Sequence, residues 1–300
     1  MKSLKSKISL VKSENHFEGV QQSLEQLRTD VEKTLSEISS LVIKINLVIT
    51  RTPRYSNGVE LATTPFQAVK SFIDFISPFY KGEIIIAERA TWGKTKEGFQ
   101  MYGFAELAEE NSQVSLLDLK EDEVIVKTVE YPGGKLKLPL SKTMVSAPFL
   151  VSIARPKTHC TVVASAGIKN VLVGAINGSW KERLQIHKGE FIHNIMARLA
   201  DFVYPDLVIV DGTSGMEGNG PIRGTEIKSG WTLASFDALA ADSLATHLMG
   251  FDVNDVTYLT MFKEKEFGLF YPNNEIEIVG DKPKDLIAPF KPHRSFKRKR

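Results

Sequence analysis

Residues 206–225 read DLVIVDGTSGMEGNGPIRGT: an apolar run, then fifteen residues that hold five glycines and two carboxylates, Asp211 and Glu217. The apolar run is typical of a buried strand in a parallel sheet. Ligands of open α/β sheets bind beyond the carboxyl ends of such strands. Glycines such as Gly218 and Gly220 can turn successive N–H groups toward one anion. We therefore expect a glycine-rich loop that forms one wall of a ligand site, with both carboxylates beside the ligand.

The rest of the chain also alternates strand-like and helix-like segments, which is the pattern of an α/β protein. Buried strands are predicted at 41–49, 83–88, 149–154, 206–211 and 232–236, and helices at about 16–38, 63–76, 189–203 and 237–250. Three short β segments with a YPGG turn change the pattern near 114–140. The prediction is a mixed, largely parallel sheet with helices on both faces and a β-rich insertion near 114–140.

The chain is expected to divide into three parts. Residues 1–39 are a helical segment packed on the core, and residues 40–290 are the α/β domain, in one lobe or two. The last ten residues, 291–300, hold six Lys or Arg and no acid, and we expect a disordered basic tail. The remaining residues, with 32 basic and 36 acidic side chains, lack the basic footprint of a nucleic-acid-binding domain. A small-molecule partner is favoured.

Composition narrows the class of protein. With 42% apolar and 25% charged residues, the sequence is ordinary for a soluble globular protein. It contains neither an apolar run of about 20 residues, as a membrane span requires, nor a signal peptide, and we expect a cytoplasmic location. The single cysteine, Cys160, excludes an internal disulfide and an iron–sulfur cluster within the chain.

Polar residues gather at two further strand ends. Lys44 and Asn46 interrupt the apolar run 41–49, and a buried charge there needs a partner. Segment 155–174, RPKTHCTVVASAGIKNVLVG, places basic residues on both sides of a small-residue stretch that permits close approach to a ligand. His187 and His193 are six residues apart, so they do not share one metal from one helix.

These clusters define the candidate site residues. The predicted catalytic residues are His159, Lys169 and His187. The predicted metal ligands are His159, His187 and Glu217. The predicted cofactor-binding residues are Lys44, Asn46, Lys157, Asn170, Asp211, Glu217, Gly218 and Gly220.

Together the motifs resemble the "domain of unknown function 362" (DUF362) family of bacteria and archaea. The resemblance covers about residues 40–250, and it rests on VIKINLV with TTP, on RPKTHCTVVASAGIKNVLVG, on His187, on PDLVIVDGTSGMEGNGP and on LASFDALAADSLATHLMG. Many relatives carry an added ferredoxin-like iron–sulfur segment. This chain lacks the cysteines for one, so the resemblance implies no redox role here.

A more distant likeness is to nickel-dependent lactate racemase. The segment from His159 to Lys169 is similar to that family's cofactor segment, although the glycine pair usual before the lysine is replaced here by Gly167-Ile168. The likeness implies that Lys169 anchors a nickel-pincer nucleotide, while His159 and His187 bind metal or transfer protons. Arg51 is similar to that family's early arginine.

Two functions fit these residues. The first is an enzyme that binds an anionic or metal-bearing small molecule, such as a divalent metal or nickel-pincer-like cofactor, and transfers protons or isomerises in the manner of lactate racemase. The alternative is a non-catalytic cofactor- or metabolite-binding protein. The enzyme is favoured because His, Lys, Asp and Glu together exceed what binding alone requires. An RNA or membrane role for the tail is disfavoured by the acidic body.

Overall fold

The computed structural model describes residues 6–50 and 60–298. Its strands are β1 Ser6–Lys12, β2 Ser40–Lys44, β3 Glu83–Glu88, β4 Val114–Asp118, β5 Val124–Tyr131, β6 Gly134–Ser141, β7 Leu150–Ala154, β8 Lys157–His159, β9 Val163–Ser165, β10 Leu207–Gly212, β11 Gly215–Asn219, β12 Arg223–Ile227, β13 Trp231–Ser235 and β14 Ile276–Gly280. Its α-helices are α1 His16–Glu25, α2 Arg28–Leu35, α3 Phe66–Ile76, α4 Thr95–Met101, α5 Phe104–Glu110, α6 Lys142–Val145, α7 Gly167–Gly174, α8 Trp180–Ile186, α9 Phe191–Leu199, α10 Ala238–Leu248 and α11 Thr257–Glu264.

Within these residues, eight strands form the main sheet in the order β14-β1-β13-β10-β7-β2-β3-β4. Strands β10, β7, β2, β3 and β4 are mutually parallel, whereas β13 runs antiparallel to both of its neighbours. The mixed, largely parallel sheet predicted from the sequence is confirmed.

Helices cover both faces of this sheet, as predicted. Helices α7, α9, α10 and α11 pack on one face, and α1 to α5 pack on the other. Successive strand residues alternate between the two faces. Val42 and Val210 therefore lie in the core under α7, whereas Ile43 and Ile209 lie in the core under α1. The face on which a strand-end residue lies decides whether it reaches the site.

The N-terminal segment differs in part from its prediction. Segment 16–38 is helical, as α1 and α2, but Ser6–Lys12 is a strand between β13 and β14. The run is only seven residues long, and its partners begin at Trp231 and Ile276, so no local pattern in the sequence indicated the pairing. How the chain divides into domains stays a prediction.

The β-rich stretch near 114–140 consists of two separate parts. Strand β4 lies at the edge of the main sheet, parallel to β3. Strands β5 and β6 pair with each other as an antiparallel hairpin, a two-stranded sheet separate from the main one, and Leu140 of β6 forms one further bridge with Ile176. The insertion on the fold is therefore this hairpin.

The glycine-rich stretch is not a loop, so that prediction was wrong. It forms the antiparallel pair β11–β12, which joins β8 and β9 in a four-stranded sheet. A Cβ on Gly220 would lie 2.1 Å from the carbonyl oxygen of Thr158, and one on Gly212 would lie 2.5 Å from the Trp231 ring. Close packing, rather than a ligand, accounts for these glycines.

The described part of the C-terminal tail lies against the body, which differs from the disordered tail predicted. The backbone N–H of Lys291 donates to a Glu217 carboxylate oxygen at 2.8 Å, and the Gly218 N–H donates to the Lys291 carbonyl at 2.7 Å. The ring of Phe296, the apolar residue of the tail, packs 5.7 Å from that of Phe251. Backbone pairing and one aromatic contact hold the segment despite its charge.

Candidate functional site

A cavity of about 440 Å³ opens at the carboxyl ends of β2, β3 and β7. Its walls come from these strand ends, from α7, from α8 and from the turn between β11 and β12. The cations that line it are Lys44, Arg89, Lys157, Lys169 and Arg183. The described lining contains one carboxylate, that of Glu88. Its other titratable side chains are those of His159, His187 and Cys160. The cavity is therefore electropositive.

Among these five cations, Lys44 is the one that forms an ion pair with a carboxylate of the described residues. Its Nζ binds a carboxylate oxygen of Glu88 and lies 3.3 Å from Oδ1 of Asn170. Both charged side chains are almost fully buried, and the other Glu88 oxygen accepts the Leu47 N–H at 3.1 Å. A Cβ on Gly174 would lie 2.2 Å from Cε of Lys44, so glycine is required where α7 crosses this lysine. The pair fixes β2, β3 and α7 to one another.

Lys157 is deeply buried in the cavity wall without a carboxylate partner among the described residues. Its Nζ donates to the carbonyl oxygen of Ala62 at 2.8 Å. Burial, followed by the positive charge of Lys169, lowers the pKa of Lys157 to about 7. Both protonation states are therefore present near neutral pH.

Lys169 is in the first turn of α7, which Asp242 holds in place. The Asp242 carboxylate accepts the backbone N–H groups of Gly167 and Ile168 at 2.8 and 3.0 Å. The Lys169 amine has neither a hydrogen bond nor an ion pair with any residue in the described ranges, although it lines the cavity. Burial lowers the pKa of Lys169 to about 8, against a raising effect of Cys160. The amine is thus available to a ligand.

The two cavity histidines carry their protons on different nitrogens. Nδ1 of His159 accepts the backbone N–H of Thr161 at 3.1 Å, so the neutral ring is protonated on Nε2. Nδ1 of His187 donates to the carbonyl oxygen of Arg183 at 2.7 Å, so its Nε2 holds a lone pair. The ring centroids are 6.4 Å apart. The cavity therefore contains one imidazole N–H donor and one imidazole acceptor.

Both histidines are neutral at pH 7. Burial lowers the pKa of His187 to about 4 and that of His159 well below its ordinary value. The charge of Lys169 is the next largest cause for each. The positive charges of the cavity thus help to keep both rings neutral. Each neutral ring then keeps the tautomer that its Nδ1 contact sets.

Three charged residues of the lining were missed by the sequence reasoning. Glu88 ends the predicted strand 83–88 and Arg89 follows it, so their position at a carboxyl end was a usable signal. Arg89 donates to Oδ1 of Asn177 at 3.2 Å, and Arg183 donates to the carbonyl of Ile176, also at 3.2 Å. Arg183 lies in α8, where no pattern in the sequence marked it.

The predicted residues of the first strand are used differently. Asn46 lines the cavity, but its side-chain amide donates to the carbonyl of Ala62. It therefore orients the wall that also receives Lys157. Arg51, the residue similar to the early arginine of lactate racemase, lies outside the described residues.

Asp211 lies on the opposite face of the sheet, so the expectation that it flanks the ligand is not met. It is two residues from Ile209 and shares its face, under α1. Its carboxylate is fully buried, lies 2.6 Å from Nδ1 of His16 and accepts the Thr213 N–H at 3.2 Å. It joins the end of β10 to the start of α1.

Glu217, Gly218 and Gly220 also lie outside the cavity lining. The Glu217 carboxylate binds the C-terminal segment, and Gly218 adopts a positive φ of 73° that suits its contact with Lys291. The hairpin does form part of the cavity wall, but through Pro221 and Ile222. The glycine-rich stretch therefore borders the cavity as expected, but not through the residues that were predicted to do so.

The predicted metal ligands do not converge. His159 and His187 are neighbours, whereas Glu217 is bound to the C-terminal segment. In residues 6–50 and 60–298, no three His, Cys, Asp or Glu side chains are grouped so that they could hold a metal ion. The donor set of these residues does not fit a metal bound by protein side chains alone.

The fold and the cavity define an α/β protein with a cation-lined cavity at the carboxyl ends of its parallel strands. The family model "Domain of unknown function (DUF362)" matches residues 41–247, and the chain belongs to this family. The resemblance stated from the motifs is confirmed. Within the described residues, no helix is long and apolar enough to cross a bilayer.

A curated relative is the "Thylakoid-associated protein sll1697" of Synechocystis, which is 28% identical over 193 residues. The match covers 61% of this chain and 58% of the relative, so the chain spans a little over half the relative's length. The thylakoid association is that of the relative, and a cytoplasmic location stays a prediction for this chain.

Two solved structures are weakly similar. The lactate racemase apoprotein from Thermoanaerobacterium thermosaccharolyticum has a TM-score of 0.37 and 17% identity, over 67% of this chain and 49% of that one. A Thermotoga maritima protein has a TM-score of 0.38 and 10% identity, over 65% of this chain and 50% of that one. Likenesses this weak do not bear on what the cavity binds.

Proposed function

We propose that the cavity binds a small organic anion and transfers protons to and from it. The observation that carries the proposal is the set of cations without a carboxylate partner among the described residues: Arg89, Lys157, Lys169 and Arg183. Burying unpaired charge costs several kcal/mol per ion. An anionic ligand supplies the missing negative charge.

His159 and His187 are the proposed proton-transfer groups. His187 accepts a proton at Nε2, and His159 donates one from Nε2, because their Nδ1 atoms are held by backbone groups. The two rings face one cavity and can act on one ligand. After one transfer His187 is an imidazolium and His159 is an imidazolate, whose negative charge the cations of the cavity stabilise. In these forms His187 can donate and His159 can accept, which permits the reverse reaction.

The cations also stabilise the charge that such a transfer creates. Removing a proton from the carbon next to a carboxylate or carbonyl leaves negative charge on the ligand's oxygens. Fixed positive groups in a water-poor site stabilise that charge more than water does. The chemistry that fits is therefore proton exchange or isomerisation at a carbon next to a carboxylate, as the motifs suggested.

Deuterium exchange tests this activity. The protein is incubated in D₂O with malate, pyruvate or alanine, and the carbon-bound protons next to the carboxyl or carbonyl group are followed by NMR. We expect exchange in at least one of them and a loss of at least about 100-fold in His187→Gln, as removal of a general base produces. His247→Gln, a half-buried histidine outside the cavity, is the matched control.

The outcomes separate the two functions. Exchange that is unchanged in His187→Gln contradicts the assigned roles. Anions that bind without exchange support the alternative, a non-catalytic metabolite-binding protein. Anions that do not bind at all contradict both.

A further inference from the structure

Lys169 differs from every other cation of the cavity in its contacts. Lys44 binds Glu88, Lys157 binds a backbone carbonyl, and both arginines bind carbonyl or amide oxygens. The amine of Lys169 has no such contact within the described residues. An amine held near a ligand but committed to no partner can present its lone pair to a carbon atom.

We propose that Lys169 is a covalent nucleophile that forms an imine with a small anionic carbonyl compound. The proposal rests on the anion-binding role above and names a substrate class for it. The other cations hold the anionic group, which is a carboxylate or a phosphate. The carbonyl carbon then lies at the amine.

The surroundings of Lys169 suit a nucleophilic amine. An amine attacks only in its neutral form, and burial lowers the pKa of Lys169 to about 8, with a further contribution from Arg183 and Lys44. A lysine nucleophile is activated in this way by desolvation or by neighbouring cations. Asp242 fixes the first turn of α7, so the amine is presented from a rigid helix.

The two histidines supply the proton transfers. Lys169 Nζ forms a bond to the carbonyl carbon while Nε2–H of His159 donates a proton to the carbonyl oxygen. His187 accepts a proton from the attacking nitrogen at Nε2. The carbon–oxygen bond then breaks as His187 passes the proton it accepted to the hydroxyl oxygen, which leaves as water. The remaining N–H proton passes to Nε2 of His159, so both rings return to their starting state. The products are the imine and water, so no oxidant or reductant is required.

Reductive trapping tests the inference. The full chain is incubated with pyruvate or with glyceraldehyde 3-phosphate in the presence of sodium cyanoborohydride, and the modified lysine is located by peptide mass spectrometry. The first compound carries a carboxylate and the second a phosphate, so the probe that is trapped with the greater selectivity for Lys169 over the other lysines identifies the anionic group. We expect modification at Lys169 at least about tenfold above that at any other lysine, because this amine is both desolvated and placed beside the anion site.

The matched variant is Lys169→Arg, which keeps the positive charge but cannot form an imine. We expect it still to bind 2-methylpropanoate, a carboxylate of pyruvate's shape without the reactive carbonyl, within about tenfold of the wild type, because Arg89, Lys157 and Arg183 remain and the charge at position 169 is kept. In this variant we expect no reductive trapping of pyruvate or glyceraldehyde 3-phosphate at position 169. An excess of 2-methylpropanoate should also protect Lys169 in the wild type.

The results distinguish this inference from the proposed function. Trapping of pyruvate and glyceraldehyde 3-phosphate mainly at Lys157 or at surface lysines overturns the imine, even where 2-methylpropanoate binds. Failure of 2-methylpropanoate to bind the wild type overturns the anion site itself. If an excess of 2-methylpropanoate does not reduce trapping at Lys169, the amine does not lie beside the anion site. That result also overturns the proposal.

Discussion

The cavity beside α7 and the hairpin β11–β12 both bring charged side chains near the ends of strands, but they differ in what those side chains contact. In the hairpin region, the carboxylates of Asp211 and Glu217 bind His16 and a backbone N–H of Lys291. In the cavity, Lys169 has no hydrogen bond or ion pair among the residues the structure describes. Charges that have partners within the chain hold the fold, whereas charges without them are available to a ligand.

The comparison predicts opposite effects of mutation on stability. Removing a partnered charge leaves its partners unsatisfied, so the folded state loses stability. Removing an unpartnered buried charge relieves its desolvation cost, so the folded state gains stability. The two regions can therefore be told apart without knowledge of the ligand.

The largest effect is expected for Asp211→Ala. The change leaves Nδ1 of His16 and the N–H of Thr213 without their acceptor, which should lower the free energy of unfolding by about 1–3 kcal/mol. Urea unfolding followed by circular dichroism measures it. Anion affinity should stay within about twofold, since the side chain lies on the other face of the sheet. A variant that keeps its stability but loses anion binding would show that Asp211 belongs to the ligand site and is not a structural residue.

Lys169→Met is expected to act in the opposite direction. At pH 7 it should raise the free energy of unfolding by about 1–2 kcal/mol, less than the full pKa shift implies because the side chain is partly exposed. Methionine fills much of the same space without a charge. A clear loss of stability in the same urea experiment would mean that the amine has a structural partner.

The stability difference between Lys169→Met and the wild type should depend on pH. The pKa of Lys169 is about 8 in the folded protein, below the ordinary lysine pKa of 10.5 that applies in the unfolded chain. Below pH 8 the amine is charged in both states, so the full cost of burying it is present. As the pH rises from 8 to 10.5, the folded protein binds fewer protons than the unfolded chain, and the wild type gains stability. The difference should therefore shrink over that range, and a constant difference would contradict the desolvated amine.

The smallest effect is expected for Glu217→Gln. The glutamine keeps a side-chain oxygen that can accept the Lys291 N–H, so the free energy of unfolding should change by less than about 0.5 kcal/mol. Thermal unfolding measures it. A large change in anion affinity in this variant would show that the glycine-rich stretch does contact the ligand.

Much of the fold could be predicted from the sequence because its signals are local. The apolar runs that became β2, β3, β7 and β10 each lie within a few residues, and so do the helices between them. Strand β1 could not be predicted in this way, since seven residues pair with strands more than two hundred residues away.

The site could be predicted only in part, for a different physical reason. Segment 155–174 continues from a strand end into α7, so chain connectivity itself brings His159 and Lys169 to one wall. Asp211 could not be assigned, because a strand buried on both faces is apolar at every position and does not reveal which face a strand-end residue takes. The same limit applies to Glu217, whose partner is the distant backbone of Lys291.

The cavity, rather than the hairpin, is expected to bind the anion. Isothermal titration with 2-methylpropanoate at pH 6.5, where Lys169 is protonated, tests it in the wild type, Lys169→Met and Glu217→Gln. We expect Lys169→Met to weaken binding by about tenfold or more, because it removes a positive charge beside the bound carboxylate, and Glu217→Gln to change it by less than about twofold. Equal binding by the wild type and Lys169→Met, or a loss confined to Glu217→Gln, would contradict it.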